Sequence, residues 1–196
     1  TEAASVAESL GGPVVVKAQV PSGKRGVVGG VVFADDPSSA AKAAKNLLGS
    51  QIHGFLVDRI LVEEEFLVEV EFFASIINEP REQAPLLLFS SHGGMEVEEL
   101  HAEGSRQVLR KRLEPPFLPS EDDLFAWLAP ENLKSSERLL LSRTLATLCQ
   151  IFATRDAELL EVNPLAVTAG GDLVALDCKL SIDDSALFRQ VEQVAE

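Results

Sequence analysis

Three groups of residues in this sequence have the types and spacing to do chemistry. The first is KAQVPSGKRGVVGGVVF, Lys17 to Phe33, where three cations and four glycines lie between two β-branched runs. Glycine lets a backbone approach a ligand closely and present N–H donors, while Lys24 and Arg25 offset phosphate charge, so the loop suits a polyphosphate. Lys17, on the strand before it, adds a third cation. The spacing is neither GxxxxGK[ST] nor GxGxxG, and the loop leads into a strand rather than a helix, which leaves a flap folding over phosphates. An ordinary hairpin with a long tip has the same composition.

The second group is AELLEVNPLAVT–AGG–DLVALDCKL. If the hairpin closes around Ala169 to Gly171 and pairs Thr168 with Asp172, Asn163 falls opposite Asp177 on one face, with Glu161 two residues away on the same side. Magnesium is usually held by one or two protein oxygens plus substrate phosphates, so this pair suffices for a site. Asp177 lies between Leu176 and Cys178 in an apolar run, where an unpartnered carboxylate is costly. A bulge at Pro164 would shift the register by one residue. The third group is ILVEEEFLVEVEFF. In one extended chain Glu63, Glu69 and Glu71 share a side and can accept hydrogen bonds from an amino group or ribose hydroxyls; a solvated acidic face reads the same way.

The elements that must position these groups follow from periodicity and caps. Ala3 to Leu10 reads as a helix stopped by Gly11-Gly12, and Pro13 opens a strand. VVFA is a second strand, and Asp36 caps a helix with Pro37 at its first position and Gly49 past its end. GFLVDRILVE, EVEFFASIIN and PLLLFSS read as adjacent strands. Ser120-x-x-Asp123 is a capping box, and from Ser135 a longer helix carries Leu141, Leu145, Leu148 and Phe152 on one core-facing stripe. The expectation is two α/β lobes, 1–62 with the glycine loop and 63–196 with the acids and the hairpin, in an α+β fold.

The totals bound the function. The 196 residues carry a net charge of -14 and are 46% hydrophobic, enough for a real core. The acidity argues against nucleic-acid binding, and Arg106, Arg110, Lys111 and Arg112 read as a solvated helix face. No apolar run approaches the roughly 20 residues that cross a bilayer, and no secretory signal pattern is present. Cys149 and Cys178 read as two buried free thiols, which fits a reducing compartment.

Taken together and in order, the motifs resemble a known family. VVVKAQVPSGKRGVVGGV is similar to VVKxQVxxGxRGxxGGV of the succinyl-CoA synthetase β-subunit ATP-grasp domain. LVEEEFLVEVEFF resembles its LVE segment, SSHGGMEVEE its S-x-x-GG-x-EIE, and LLEVNPLAVTAGGDLVALDCKLSIDDSALFR its EINPL…GDLxALDxKLxxDDNALFR. The likeness runs collinearly from about Ala3 to Arg189.

This resemblance implies an ATP-grasp fold in which two lobes clasp ATP or GTP, with Mg2+, and the γ-phosphoryl group activates a carboxylate on its way to a CoA thioester. It implies Lys17 on the phosphates and Lys24, Arg25 and Gly26 as the nucleotide loop. It puts Glu63 and Phe66 at the adenine hinge, Glu71 near the ribose, and Asn163 with Asp177 on the metal. Arg25 and Glu161 would be catalytic, Glu161 facing the phosphohistidine loop of a partner α-type subunit. CoA would bind mostly outside this chain, with that subunit and with a C-terminal flavodoxin-like domain that the sequence lacks. The chain would then be one domain of a longer protein, cytoplasmic or of the mitochondrial matrix, bound to neither membrane nor nucleic acid. Lys24 stands where the family commonly has glycine, Val27 where it often has lysine, and Phe66 where a small polar residue occurs; these departures would alter loop charge or base preference. His92 replaces an acidic residue and reads as structural. Three other readings stay open: a non-catalytic nucleotide-binding or assembly module, a malate– or citrate–CoA ligase, and an amide-forming ATP-grasp ligase.

Overall fold

Pro13 does open a strand. In the computed structural model, which describes residues 1–93 and 108–190, α1 (Glu2–Leu10) leads into β1 (Val14–Gln19). There follow β2 (Val31–Ala34), α2 (Pro37–Leu47), the short hairpin β3 (Gln51–Ile52) and β4 (Phe55–Leu56), and β5 (Arg59–Glu64). β1 is the central strand of an antiparallel sheet, with β2 on one side and β5 on the other. Alternation along β1 sends Val14, Val16 and Ala18 into a core with Ala7 of α1 and Ala40, Ala43 and Leu47 of α2. α2 starts as expected: the Asp36 carboxylate accepts from Ser39 N at 2.7 Å, and Ser39 Oγ accepts in return from Asp36 N at 3.1 Å.

These elements form one unit, Thr1–Leu67, and Val68–Glu196 forms a second. The first unit extends past the expected limit at residue 62 because β5 continues in register with β1 as far as Glu64, opposite Val14.

The second unit runs β6 (Val68–Glu79), β7 (Ala84–Ser90), β8 (Leu109–Arg112), α3 (Glu121–Trp127), α4 (Ser135–Thr154), β9 (Ala157–Thr168), β10 (Leu173–Ala175), β11 (Cys178–Ile182) and a 3-10 turn at Asp184–Arg189. Its antiparallel sheet has the order β10-β9-β6-β7-β8, with β11 continuing beside β9. The wholly apolar runs in β6 and β7 are buried on both faces. Phe72, Ala74, Ile76, Leu87 and Phe89 pack with the α4 stripe of Leu141, Leu145, Cys149 and Phe152, while Phe73, Leu86 and Leu88 form a smaller cluster. Arg138 ties α4 to α3, donating to Phe125 O at 2.5 Å with its guanidinium 4.0 Å from that ring's centre.

Two expectations are corrected here. Arg110, Lys111 and Arg112 lie on a strand rather than a helix: among the described residues β8 is the sheet's end strand, with Arg110 and Arg112 exposed and Lys111 half-buried between them, and charges on an end strand discourage further pairing. Arg106 lies outside the described residues. Cys149 is buried, but Cys178 is exposed, because β11 has β9 on one side and lies at the edge of the sheet. No helix among the described residues is long and apolar enough to cross a membrane.

Candidate functional site

In the first unit the glycine loop is folded into turns rather than splayed. Gly30 N donates to Arg25 O at 2.7 Å, Val27 N to Lys24 O and Gly29 N to Gly26 O, each at 3.2 Å. The base is tied to β1: Ala18 N donates to Gly30 O at 2.8 Å, and the Arg25 guanidinium donates to Ala18 O at 2.6 Å. Gly30 is needed for this closure, since a Cβ there would stand 2.8 Å from both Arg25 O and Ile52 Cδ1. Lys24 has φ of 61°, the left-handed region that glycine adopts without strain. That is the physical meaning of a position where glycine is common. Val27, at the tip, is 84% exposed.

Lys17 is buried at 9% exposure, and its Nζ lies 2.5 Å from Glu63 Oε2. The register explains the meeting. Glu63 pairs with Val15 and Leu61 with Lys17, so both charges stand on the sheet face opposite the core. β2 completes that face with Val31 opposite Lys17 and Phe33 opposite Val15, and Phe33 is 65% exposed. Glu63, Glu69 and Glu71 do not share one extended strand: β5 ends at Glu64, β6 begins at Val68, and Glu63 and Glu71 belong to different units. Phe66, between these strands, is exposed.

In the second unit the hairpin keeps its register through Pro164. Leu173 pairs with Val167, Ala175 with Leu165, Cys178 with Val162 and Lys179 with Glu161. Between these pairs Leu176 N donates to Pro164 O at 3.0 Å and Asn163 N to Asp177 O at 3.1 Å, so Asn163 lies opposite Asp177. The irregularity that proline introduces falls on the strand's other side. Against β6, Phe72 pairs with Leu165 and Ala74 with Val162, so Asn163 and Pro164 together face Phe73. The Asp177 carboxylate accepts from Cys178 N at 2.9 Å.

Asn163 and Asp177 therefore offer an amide oxygen and a carboxylate from adjacent strands, a donor set that fits Mg2+ when phosphates and water fill the remaining positions. Among the described residues no group of three or more His, Cys, Asp or Glu could hold a metal ion without such help. The two thiols stand in different surroundings. Burial pushes the Cys149 thiol up to about 12, and Cys178 is raised by partial burial and then by the Asp177 and Glu161 carboxylates.

Glu71 pairs with Ala166 on β9, and sequence reasoning missed what holds it there. Gly93 N donates to Glu71 O at 2.8 Å, and a Cβ at Gly93 would lie 2.6 Å from Glu71 C and from Phe72 N and O. The Gly93 of the HGG motif is thus a backbone-on-backbone contact; Gly94, the MEVEE residues after it and His101 lie outside the described residues. His92 is exposed, with Nδ1 3.4 Å from Ser91 Oγ. His53 has φ of 49° in the two-residue turn between β3 and β4. A cavity of about 410 Å³ at the far end of the second unit's sheet, between Asn78, Phe117, Phe152 and Asp183, holds none of the candidate residues.

The chain is 37% identical over 97% of its length to the succinate–CoA ligase [ADP-forming] subunit beta of Rubrobacter xylanophilus, and 38% identical over 96% to subunit beta 2 of Streptomyces coelicolor. It covers 50% and 48% of them, so it spans about half the length of the curated relatives it matches. Among solved structures it resembles ATP citrate lyase from Methanothrix soehngenii, with a TM-score of 0.73 at 19% identity over 94% of this chain and 42% of that one. It also resembles the dinucleotide-forming acetyl-coenzyme A synthetase 1 of Ca. Korarchaeum cryptofilum, with a TM-score of 0.73 at 19% identity over 93% of this chain and 81% of the other. Residues 1–167 match the ATP-grasp_2 family, described as an ATP-grasp domain, and the chain belongs to that family.

Proposed function

We propose that this chain is the nucleotide-binding and phosphoryl-transfer domain of an NDP-forming carboxylic acid–CoA ligase of the succinate–CoA ligase β type. The observation that carries the reading is the hairpin register, which opposes Asn163 and Asp177 as a minimal magnesium pair. The likeness to succinate–CoA ligase β subunits supports the reaction class.

Lys17 and the loop residues Lys24, Arg25 and Gly26 bind and orient the phosphates, with loop N–H groups and cations aimed where charge develops. Phe66 and Glu71 serve the nucleoside end, and Glu63 stands beside Lys17. Asn163 and Asp177 hold Mg2+, which when bound offsets charge on the phosphate oxygens. Arg25 and Glu161 serve the transfer of the γ-phosphoryl group to a histidine on a partner α-type subunit, where a carboxylic acid and CoA complete the thioester. Organic-acid choice belongs to that subunit and to the half of the protein that the relatives have beyond this chain. A non-catalytic nucleotide module is the second reading, favoured by Lys24 in a left-handed position and by uncharged Val27.

The test uses the intact gene product with its partner subunit and γ-labelled ATP or GTP. Label on a partner histidine, followed by CoA ligation of succinate, malate or citrate in a substrate screen, is expected. Nucleotide binding without label transfer would replace the ligase reading with the module.

A further inference from the structure

The sheet face that carries Lys17 also carries the group that answers its charge. Glu63 Oε2 is shut off from water and lies 2.5 Å from Lys17 Nζ; the lysine side chain is 11% exposed and the glutamate side chain as a whole 38%. Taking the cation away leaves that shut-off oxygen without a charged partner, which costs free energy even though the rest of the side chain meets water. Any phosphate drawn to Lys17 must therefore contend with Glu63 for the same ammonium. The two residues lie on adjacent strands of one sheet, with Val15 and Leu61 completing the register.

We propose that Glu63 is the counter-ion that incoming nucleotide phosphates displace from Lys17. It is a positioning residue: it holds the lysine at the phosphate position in the empty state and recaptures it as product leaves. The consequence is a deliberate weakening of nucleotide affinity by a factor that does not depend on the base, which favours release. This inference rests on the Mg-ATP reading above and assigns the Glu63 carboxylate to Lys17 rather than to the nucleoside.

The test is calorimetry of this chain with Mg-ATP and with inorganic tripolyphosphate, the second ligand having no base to read. Glu63→Gln is expected to tighten both ligands by about tenfold, equivalent to about 1.4 kcal/mol, and to slow nucleotide dissociation in stopped flow. A merely structural role for Glu63 would not produce a gain in affinity. Glu63→Asp, which keeps the charge but draws it back by one methylene, is expected to tighten both by roughly threefold and decides the matter if the glutamine variant does not fold. Wild-type or weaker affinity in the folded variants overturns the inference while leaving the Mg-ATP reading intact. Failure of the unaltered chain to bind Mg-ATP overturns both.

Discussion

Gly93→Ala is the sharpest single perturbation of the second unit. The new Cβ would sit 2.6 Å from Glu71 C and Phe72 N and O, against the 3.4 Å at which ordinary contact begins, so something must move by about 0.8 Å. What it meets is the backbone of β6, held between β7 and β9, with Phe72 fully buried beneath it. The strand cannot rotate away as a side-chain tip would, so residue 93 is expelled and its 2.8 Å hydrogen bond to Glu71 O is lost. Overpacking of this kind costs about 1–3 kcal/mol and the lost hydrogen bond about 1 more. A total of roughly 2–4 kcal/mol corresponds to a fall in Tm of roughly 5 to 15 °C for a chain of this length. Urea unfolding read by circular dichroism gives the free energy directly. Gly170→Ala is the control, because a Cβ there meets Thr168 Oγ1 at 3.5 Å and nothing closer. A Gly93→Ala loss within about 0.5 kcal/mol of the control, the range of ordinary surface substitutions, would refute the close-packing argument.

Other expectations follow from the same physics. Cys178, exposed on the edge strand, reacts with a thiol reagent in the folded protein while Cys149 reacts only on unfolding. Asp177→Asn speeds the Cys178 reaction by removing a charge that raises its thiol; an unchanged rate would contradict that cause. The Asp156 carboxyl is held at about 2 by its hydrogen bonds to the Arg189 guanidinium and the Gln190 amide, below the ordinary 3.8. A depressed carboxyl contributes stability above its unfolded value, lost as pH falls through the folded one, so Asp156→Asn should flatten the acid unfolding curve between 3.8 and about 2. An unaltered curve would show that other groups control that window. Lys24→Gly removes the left-handed strain at φ 61° and should raise stability by roughly 0.5–1 kcal/mol in urea unfolding, partly offset by a freer unfolded chain; a clear loss would contradict the strain argument.

Much of the frame was legible because it is local. The Asp36 and Ser120 caps and the α4 stripe are set by residues within three or four positions of one another, where short-range sterics and hydrogen bonds decide the outcome. The register of Asn163 opposite Asp177 was readable for the same reason: the tight turn at Ala169 to Gly171 fixes it. What escaped depends on which distant segments pair. Nothing near Lys17 announces that Glu63, on a strand 40-odd residues later, stands diagonally across from it; only the pairing of β1 with β5 does. Glu63, Glu69 and Glu71 read as one side of an extended chain because counting by twos does not show that the chain leaves one sheet and enters another between them. Cys178 looked buried because its apolar neighbours do not reveal that their strand lies at an edge. Gly93 carries no side-chain signal at all, since its contact is made by the absence of one.

The proposed function assigns Lys17 to the nucleotide phosphates and Asp177 to magnesium. Calorimetry of this chain with Mg-ATP tests it most directly, using Lys17→Ala from the first unit and Asp177→Asn from the second, each checked for folding by circular dichroism. The expected result is one site per chain, weakened at least about tenfold by either change and with its magnesium dependence removed by the second. Undiminished affinity in either folded variant would contradict the account.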